Sequence, residues 1–166
     1  MVTIKSKKEI EYMEEACRVV ALTYKKLEEC IKPGMSTWEI DKIAEDTMRS
    51  LGALPAEKGY DVGIKGVPPY PAATCVSVND EIVHGIPSAK HLIKEGDIVS
   101  LDAGVIYKGY HSDAARTHAV GEVRPDLQKL IDVTRESFFE GIKFAKEGNH
   151  LYDISRAIGD YAESFG

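Results

Sequence analysis

The feature that most constrains this chain is that it repeats itself. Displacing the sequence by 114 residues aligns GMSTWEIDKIAEDTMRSLG (Gly34 to Gly52) with GNHLYDISRAIGDYAESFG (Gly148 to Gly166). Gly34, Ile40, Asp46, Ser50 and Gly52 meet identical partners; Trp38/Tyr152, Glu39/Asp153, Lys42/Arg156 and Leu51/Phe165 are similar pairs. Upstream, without a gap, Val19 matches Val133 and Lys32 matches Lys146. Glycines that coincide at both the start and the stop of a helical pattern point to a structural repeat. In the first copy the helix pair leads into a β-rich segment, residues 53–120, whereas the second copy reaches Gly166 at the end of its helix pair. Residues 1–166 therefore read as the N-terminal part of one duplicated domain. Its second half-sheet is missing, and partners for the first sheet are expected beyond Gly166.

Local signals agree with that plan. Ser6-Lys7-Lys8-Glu9 and Ser36-Thr37-Trp38-Glu39 are capping boxes, in which Ser and Glu satisfy free backbone donors at a helix start. Apolar residues at Ile10, Met13, Cys17, Val20, Tyr24, Leu27 and Ile31 define one helical stripe, which Pro33-Gly34 ends. A second stripe runs Ile40, Ile43, Ala44, Met48, Leu51, and two more helices are expected over 127–145 and 151–165. Residues 58–71 are punctuated by Gly and Pro and read as a surface loop. Composition adds exclusions. The chain is 43% hydrophobic and 29% charged, so it supports a core; its net charge of −6 with interspersed signs gives no nucleic-acid footprint. No apolar run approaches the roughly 20 residues of a membrane span. The charged opening and three cysteines without a CxxC (Cys17, Cys30, Cys75) suit a reducing cytoplasm.

The β segment carries the chemistry. Thr74–Val78 alternates like a strand, Asn79-Asp80 is a plausible turn and Glu81–His84 returns, which in the simplest register places Cys75 opposite His84. A satisfied edge histidine and a small core cysteine are the plain alternatives for those two residues. A long buried strand from Asp97 to Tyr107 turns at Lys108-Gly109 and runs back from Tyr110 to Val120. With that two-residue loop, Tyr107 faces Tyr110, Ile106 faces His111 and Gly104 faces Asp113. Asp102 and Asp113 then share a face as diagonal neighbours about 7–8 Å apart. Two half-buried like charges repel and are costly to desolvate, and a divalent cation between them removes both costs. The alternatives are a wet face, or neutralisation by Arg116 or a lysine. Since such ions take roughly four to six ligands, two aspartates are a partial set. His111 shares the face; His91, His118 and His150 have no comparable geometry.

TCVSVNDEIVHGIPS (Thr74 to Ser88), EGDIVSLDAGVIYKGYHSDAARTHAVG (Glu95 to Gly121) and the flanking helices resemble type I methionine aminopeptidases along essentially the whole chain. The resemblance implies a mixed α/β (α+β) pita-bread fold, a pseudo-two-fold duplication around two divalent metal ions (Co, Mn, Fe or Zn). It implies Asp102 as a terminal metal ligand, Asp113 as a bridging ligand, His84 as a catalytic-site histidine that hydrogen-bonds substrate, and Cys75 and Tyr70 as lining of a methionine pocket. The implied substrates are N-terminal Met peptides of nascent chains, with the ribosome a candidate place to meet them. The complete enzyme is expected to be a cytoplasmic monomer, with no direct nucleic-acid or membrane binding. Gly104 stands where some members have a metal-site threonine, and Val67 where some have a pocket tyrosine. The family's other ligands, a histidine and two glutamates, and a second substrate-binding histidine belong after Gly166, so 166 residues alone are expected to be inactive. A non-catalytic binding module and a proline-directed aminopeptidase of the same fold are the alternative readings.

Overall fold

A computed structural model describes residues 3–166. Its elements run α1 (Lys7–Cys30), α2 (Thr37–Ser50), β1 (Leu54–Pro55), β2 (Cys75–Val78), β3 (Ile98–Tyr107), β4 (Tyr110–Ala119), α3 (Pro125–Ile142) and α4 (Leu151–Glu163). They divide into two compact units, one reaching Glu122 and one from Val123 to Gly166.

Both capping boxes form. Ser6 and Ser36 each accept the N–H of the glutamate three residues on, and that glutamate accepts the serine's own N–H, at 2.7 Å for Glu9 and 2.8 Å for Glu39. Long α1 lies across β3 and β4 and against α2. Its buried face is Ala16, Val19, Val20, Thr23, Tyr24 and Leu27, so the sequence-derived stripe needs correction at its N-terminal end: Ile10 and Cys17 are exposed. The first turn of α1 runs alongside the hairpin tip, where Tyr110 donates to Glu9 at 3.1 Å, and Cys17 lies off the buried face although Ala16 and Val19 on that face are fully buried. The α2 face of Ile40, Ala44 and Met48 is fully buried, with Ile43 and Leu51 packed at its margin. Burying each such aliphatic side chain contributes roughly 1.5–3 kcal/mol, which is how short elements are held to the sheet.

The sheet is antiparallel throughout and organised on β3. β4 pairs with it along ten residues, with Tyr107 opposite Tyr110, Ile106 opposite His111 and Gly104 opposite Asp113. That is the register the two-residue loop dictates, because Lys108 (φ 49°) and Gly109 (φ 84°) both adopt the positive-φ conformation of a tight hairpin turn. The other edge of β3 is shared end to end by β2, at Val99–Asp102, and β1, at Val105–Ile106.

Here one expectation fails. Residues 81–84 form no strand, and Cys75 pairs with Asp102 of β3, not with His84. Two local facts prevent the short hairpin. The Glu81 side chain accepts the Val78 N–H at 2.9 Å, and His84 adopts φ 59°, which a strand cannot contain. The segment still bonds to β2 at its far end, where the Val76 N–H donates to Gly85 O at 2.9 Å and the Gly85 N–H donates to Ser77 Oγ at 3.1 Å.

In the second unit, α3 and α4 pack closely where Gly141 meets Ile158; a Cβ at 141 would lie 2.4 Å from Ile158 Cγ1. α3 begins at Pro125, which supplies a preset φ at the first helical position, and ends at Ile142, three residues earlier than the periodicity suggests. The repeat is visible in local conformation. The aligned glycines 34/148 (φ 90° and 89°) and 52/166 (φ 78° and 106°) share the left-handed region. Asp153 caps the His150 N–H at 2.8 Å as Glu39 caps that of Ser36.

Candidate functional site

Strand alternation gives the sheet two different faces. Leu101, Ala103 and Val105, each no more than 1% exposed, point to the helices. Asp102 and Gly104 point the other way, and with them go their register partners: Cys75 beside Asp102, Asp113 across from Gly104, and His111 across from Ile106. A cavity of about 440 Å³ opens on that face. Asp102, Asp113, His111, His84, Tyr70 and Cys75 line it together with Ala56, Glu57, Tyr60, Val62, Val67 and Pro68. All five residues singled out from the sequence, Tyr70, Cys75, His84, Asp102 and Asp113, therefore meet at one cavity. His91, His118 and His150 stay outside it. His118 lies opposite Val99 on the helix-facing side and stacks on Tyr24 at 6.3 Å, where burial depresses its pKa.

Among the described residues no lysine or arginine lines the cavity beside the aspartates. Arg116 is opposite Leu101, so it belongs to the helix-facing side, where it pairs with Glu28 at 3.0 Å and lies over the Tyr24 ring. Desolvation, and then the neighbouring Asp113 charge, hold the Asp102 carboxyl above the usual carboxylate range. Two carboxylates repelling across a partly dry wall are a donor set that a divalent cation satisfies, and in that respect the residues fit one. Among the described residues no group of three or more His, Cys, Asp or Glu is arranged to hold a metal, so the pair is a partial set.

The walls are fixed by polar contacts that the sequence did not announce. Asp41 of α2, 5% exposed, accepts three hydrogen bonds on one oxygen: from Ala73 N–H (2.9 Å), Thr74 N–H (2.8 Å) and the Thr74 hydroxyl (2.9 Å). These hold the backbone that leads into Cys75, although desolvation still outweighs them and raises the Asp41 carboxyl. The Tyr70 hydroxyl reaches the carbonyls of Thr74 (3.2 Å) and Gly85 (3.1 Å), tying the loop to the segment bearing His84. Only glycine fits at 85, because a Cβ there would sit 2.2 Å from the Val76 carbonyl oxygen. Burial pushes the Cys75 thiol up, so it serves as an apolar wall and not as a thiolate.

Glu57 carries no signal in the sequence pattern. It follows β1 in a stretch without periodicity. Its carboxyl fills the gap between β1 and β2 on the β3 edge, accepting the Gly104 N–H on Oε1 at 2.5 Å, while Oε2 is buried with no partner. Burial, with smaller contributions from the Asp113 and Asp102 charges, lifts it to about 7. The one available hint was a glycine inside a strand, which often marks close approach of another group. A Cβ on Gly104 would lie 2.8 Å from Glu57 Oε1.

Comparison with known proteins adds independent observations. Residues 11–166 match Metallopeptidase family M24. Over 166 residues the chain is 47% identical to a methionine aminopeptidase of Clostridium acetobutylicum, covering all of this chain and 64% of that one. It is 46% identical to methionine aminopeptidase 1 of Bacillus subtilis, covering 99% and 63%. The crystal structure of a methionine aminopeptidase from Thermotoga maritima superposes with a TM-score of 0.93 at 40% identity, again over all of this chain and 64% of the other. An Xaa-Pro dipeptidase from Bacillus anthracis gives 0.83 at 29% identity, covering 98% and 42%. The chain thus spans somewhat under two thirds of the curated relatives it matches.

Proposed function

The chain belongs to metallopeptidase family M24, and from that premise we propose that it takes part in removing the N-terminal methionine from peptides by divalent-metal-assisted hydrolysis. One observation carries the reading. Asp102 and Asp113 share a cavity face on which no described lysine or arginine stands, beside His84, in a chain 47% identical to a methionine aminopeptidase.

Family membership implies divalent metal ions. On this reading Asp102 and Asp113 would hold two such ions, Asp102 as a terminal and Asp113 as a bridging ligand, as part of a larger donor set. A carboxylate-rich set accepts Co, Mn, Fe or Zn alike. When bound, the ions supply a water of lowered pKa and polarise the scissile carbonyl. The chain's own residues do the rest. His84, presented by a positive-φ turn and braced through Gly85 and Tyr70, donates a hydrogen bond toward the carbonyl oxygen as negative charge develops there. Cys75 and Tyr70, with Tyr60, Val62, Val67 and Pro68, form the apolar wall that takes a thioether side chain and excludes water from it. Cys17, Cys30 and Cys75 are all unpaired, which suits work on nascent chains in the cytoplasm, and no described helix is long and apolar enough to cross a membrane. A monomer is the working form on this reading.

The test uses the protein at its natural length. Met-Ala-Ser should be cleaved with divalent metal, should resist cleavage with chelator, and should be preferred over Xaa-Pro peptides. Asp102→Asn should abolish the metal-dependent turnover. Cleavage that survives both chelator and Asp102→Asn at saturating metal would refute the ligand role, and preference for Xaa-Pro would move the assignment to the proline-directed branch.

A further inference from the structure

Glu57 sits where a purely structural residue would be chosen differently. The gap between β1 and β2 leaves one backbone donor of β3, the Gly104 N–H, without a strand partner, and a single acceptor oxygen satisfies it. A neutral amide of the same length would do so without bringing an acid into the wall. Glu57 instead carries a second oxygen, Oε2, sealed from solvent and without a hydrogen bond. A buried carboxylate left half-satisfied weakens a fold unless a charge elsewhere compensates it.

The location indicates what compensates it. Gly104 lies directly across from Asp113 and two residues after Asp102, and Glu57 lines the same cavity as both. The absence of a side chain at 104 is what admits the carboxyl, since a Cβ would crowd Oε1. Yet Glu57 does not complete a three-donor cluster with the aspartates, and its Oε1 is committed to the Gly104 N–H. It lines the cavity with the aspartate pair but falls outside a ligand set.

We infer that Glu57 is a positioning residue of the cation site: a third, outer carboxylate, oriented by the Gly104 N–H, whose negative charge strengthens divalent-cation binding at Asp102 and Asp113 without ligating. This rests on the proposed metallopeptidase reading and adds to it a residue that neither the sequence pattern nor the family resemblance singled out. The charge is near enough to matter because Glu57 lines the cavity with both aspartates and is bonded to Gly104, the residue directly opposite Asp113.

Glu57→Gln isolates the effect. The amide oxygen can still accept the Gly104 N–H, the side-chain length is kept, and only the charge is removed. Mn(II) is titrated calorimetrically into the natural-length protein and into the variant, at mildly alkaline pH. Outer-sphere partners of metal sites typically change affinity 10–100-fold, so the variant should bind at least about tenfold more weakly. A merely structural glutamate predicts no change, because the variant keeps the bond. Gly104→Ala, which crowds the carboxyl out of its seat, should weaken binding as well. Equal Mn(II) affinity in parent and Glu57→Gln would overturn the inference and leave the metallopeptidase reading standing. No Mn(II) binding by the parent would overturn both.

Discussion

Without metal, Glu57→Gln should stabilise the first unit, and should do so increasingly as pH rises. Burial raises the folded-state pKa of Glu57 from 4.5 to about 7. Below about 4.5 the acid is protonated both folded and unfolded, and it costs nothing. As pH rises past that point the unfolded chain ionises while the folded chain keeps its proton, so folding loses free energy until the folded acid also ionises near 7. A displacement of that size corresponds to about 3 kcal/mol, and partial contact with solvent reduces the figure to the order of 1–2 kcal/mol. The amide has no such dependence. Trp38, the single tryptophan, lies in the same unit and reports its unfolding by fluorescence. Urea titrations in chelator at pH values bracketing the window should show parent and variant diverging, with the variant the more stable on the alkaline side. Parallel pH profiles, or a variant weakened throughout, would show that the buried carboxyl is satisfied in a way the geometry does not reveal. Joined to the expected loss of Mn(II) affinity, the substitution should move apo stability and metal binding in opposite directions.

Two further perturbations probe the frame that holds the site. Asp41→Ala strands three buried donors at Ala73 and Thr74; at about 1–3 kcal/mol for an unsatisfied buried group the loss should reach at least 3 kcal/mol, read by urea denaturation, and a loss under about 1 kcal/mol would mean that the segment is held by other contacts. Gly85→Ala puts a Cβ 2.2 Å from the Val76 carbonyl, a clash against backbone that no rotamer relieves. It should detach the His84 segment from β2, seen as faster amide exchange at Val76, and native-like protection there would contradict the close approach.

How much of this was legible in the sequence depended on the range of each interaction. The β3–β4 register was accessible because a two-residue turn sets it locally, and once set it forces Asp102 and Asp113 onto one face. Helix starts were legible for the same reason, since capping boxes close over three residues. The Cys75–Asp102 pairing was not, because a strand edge can be claimed by any partner. Here a side chain, Glu81, and the positive φ of His84 withdrew the nearest one, leaving β3 to take it. The exposed start of α1 was hidden likewise: periodicity reports an apolar stripe, but whether anything covers Ile10 depends on where the hairpin ends.

The amino-acid sequence by itself determined the repeat, the helix pairs, the long hairpin and the family, all of which rest on patterns within a few residues of one another or on identity along the chain. Only the tertiary structure decided that Asp41 anchors the approach to Cys75 from 32 residues away, and that Glu57 reaches Gly104 across 47. Those contacts exist because buried donors left over by strand ends must find acceptors, and which acceptor arrives is set by packing in three dimensions and not by spacing along the chain.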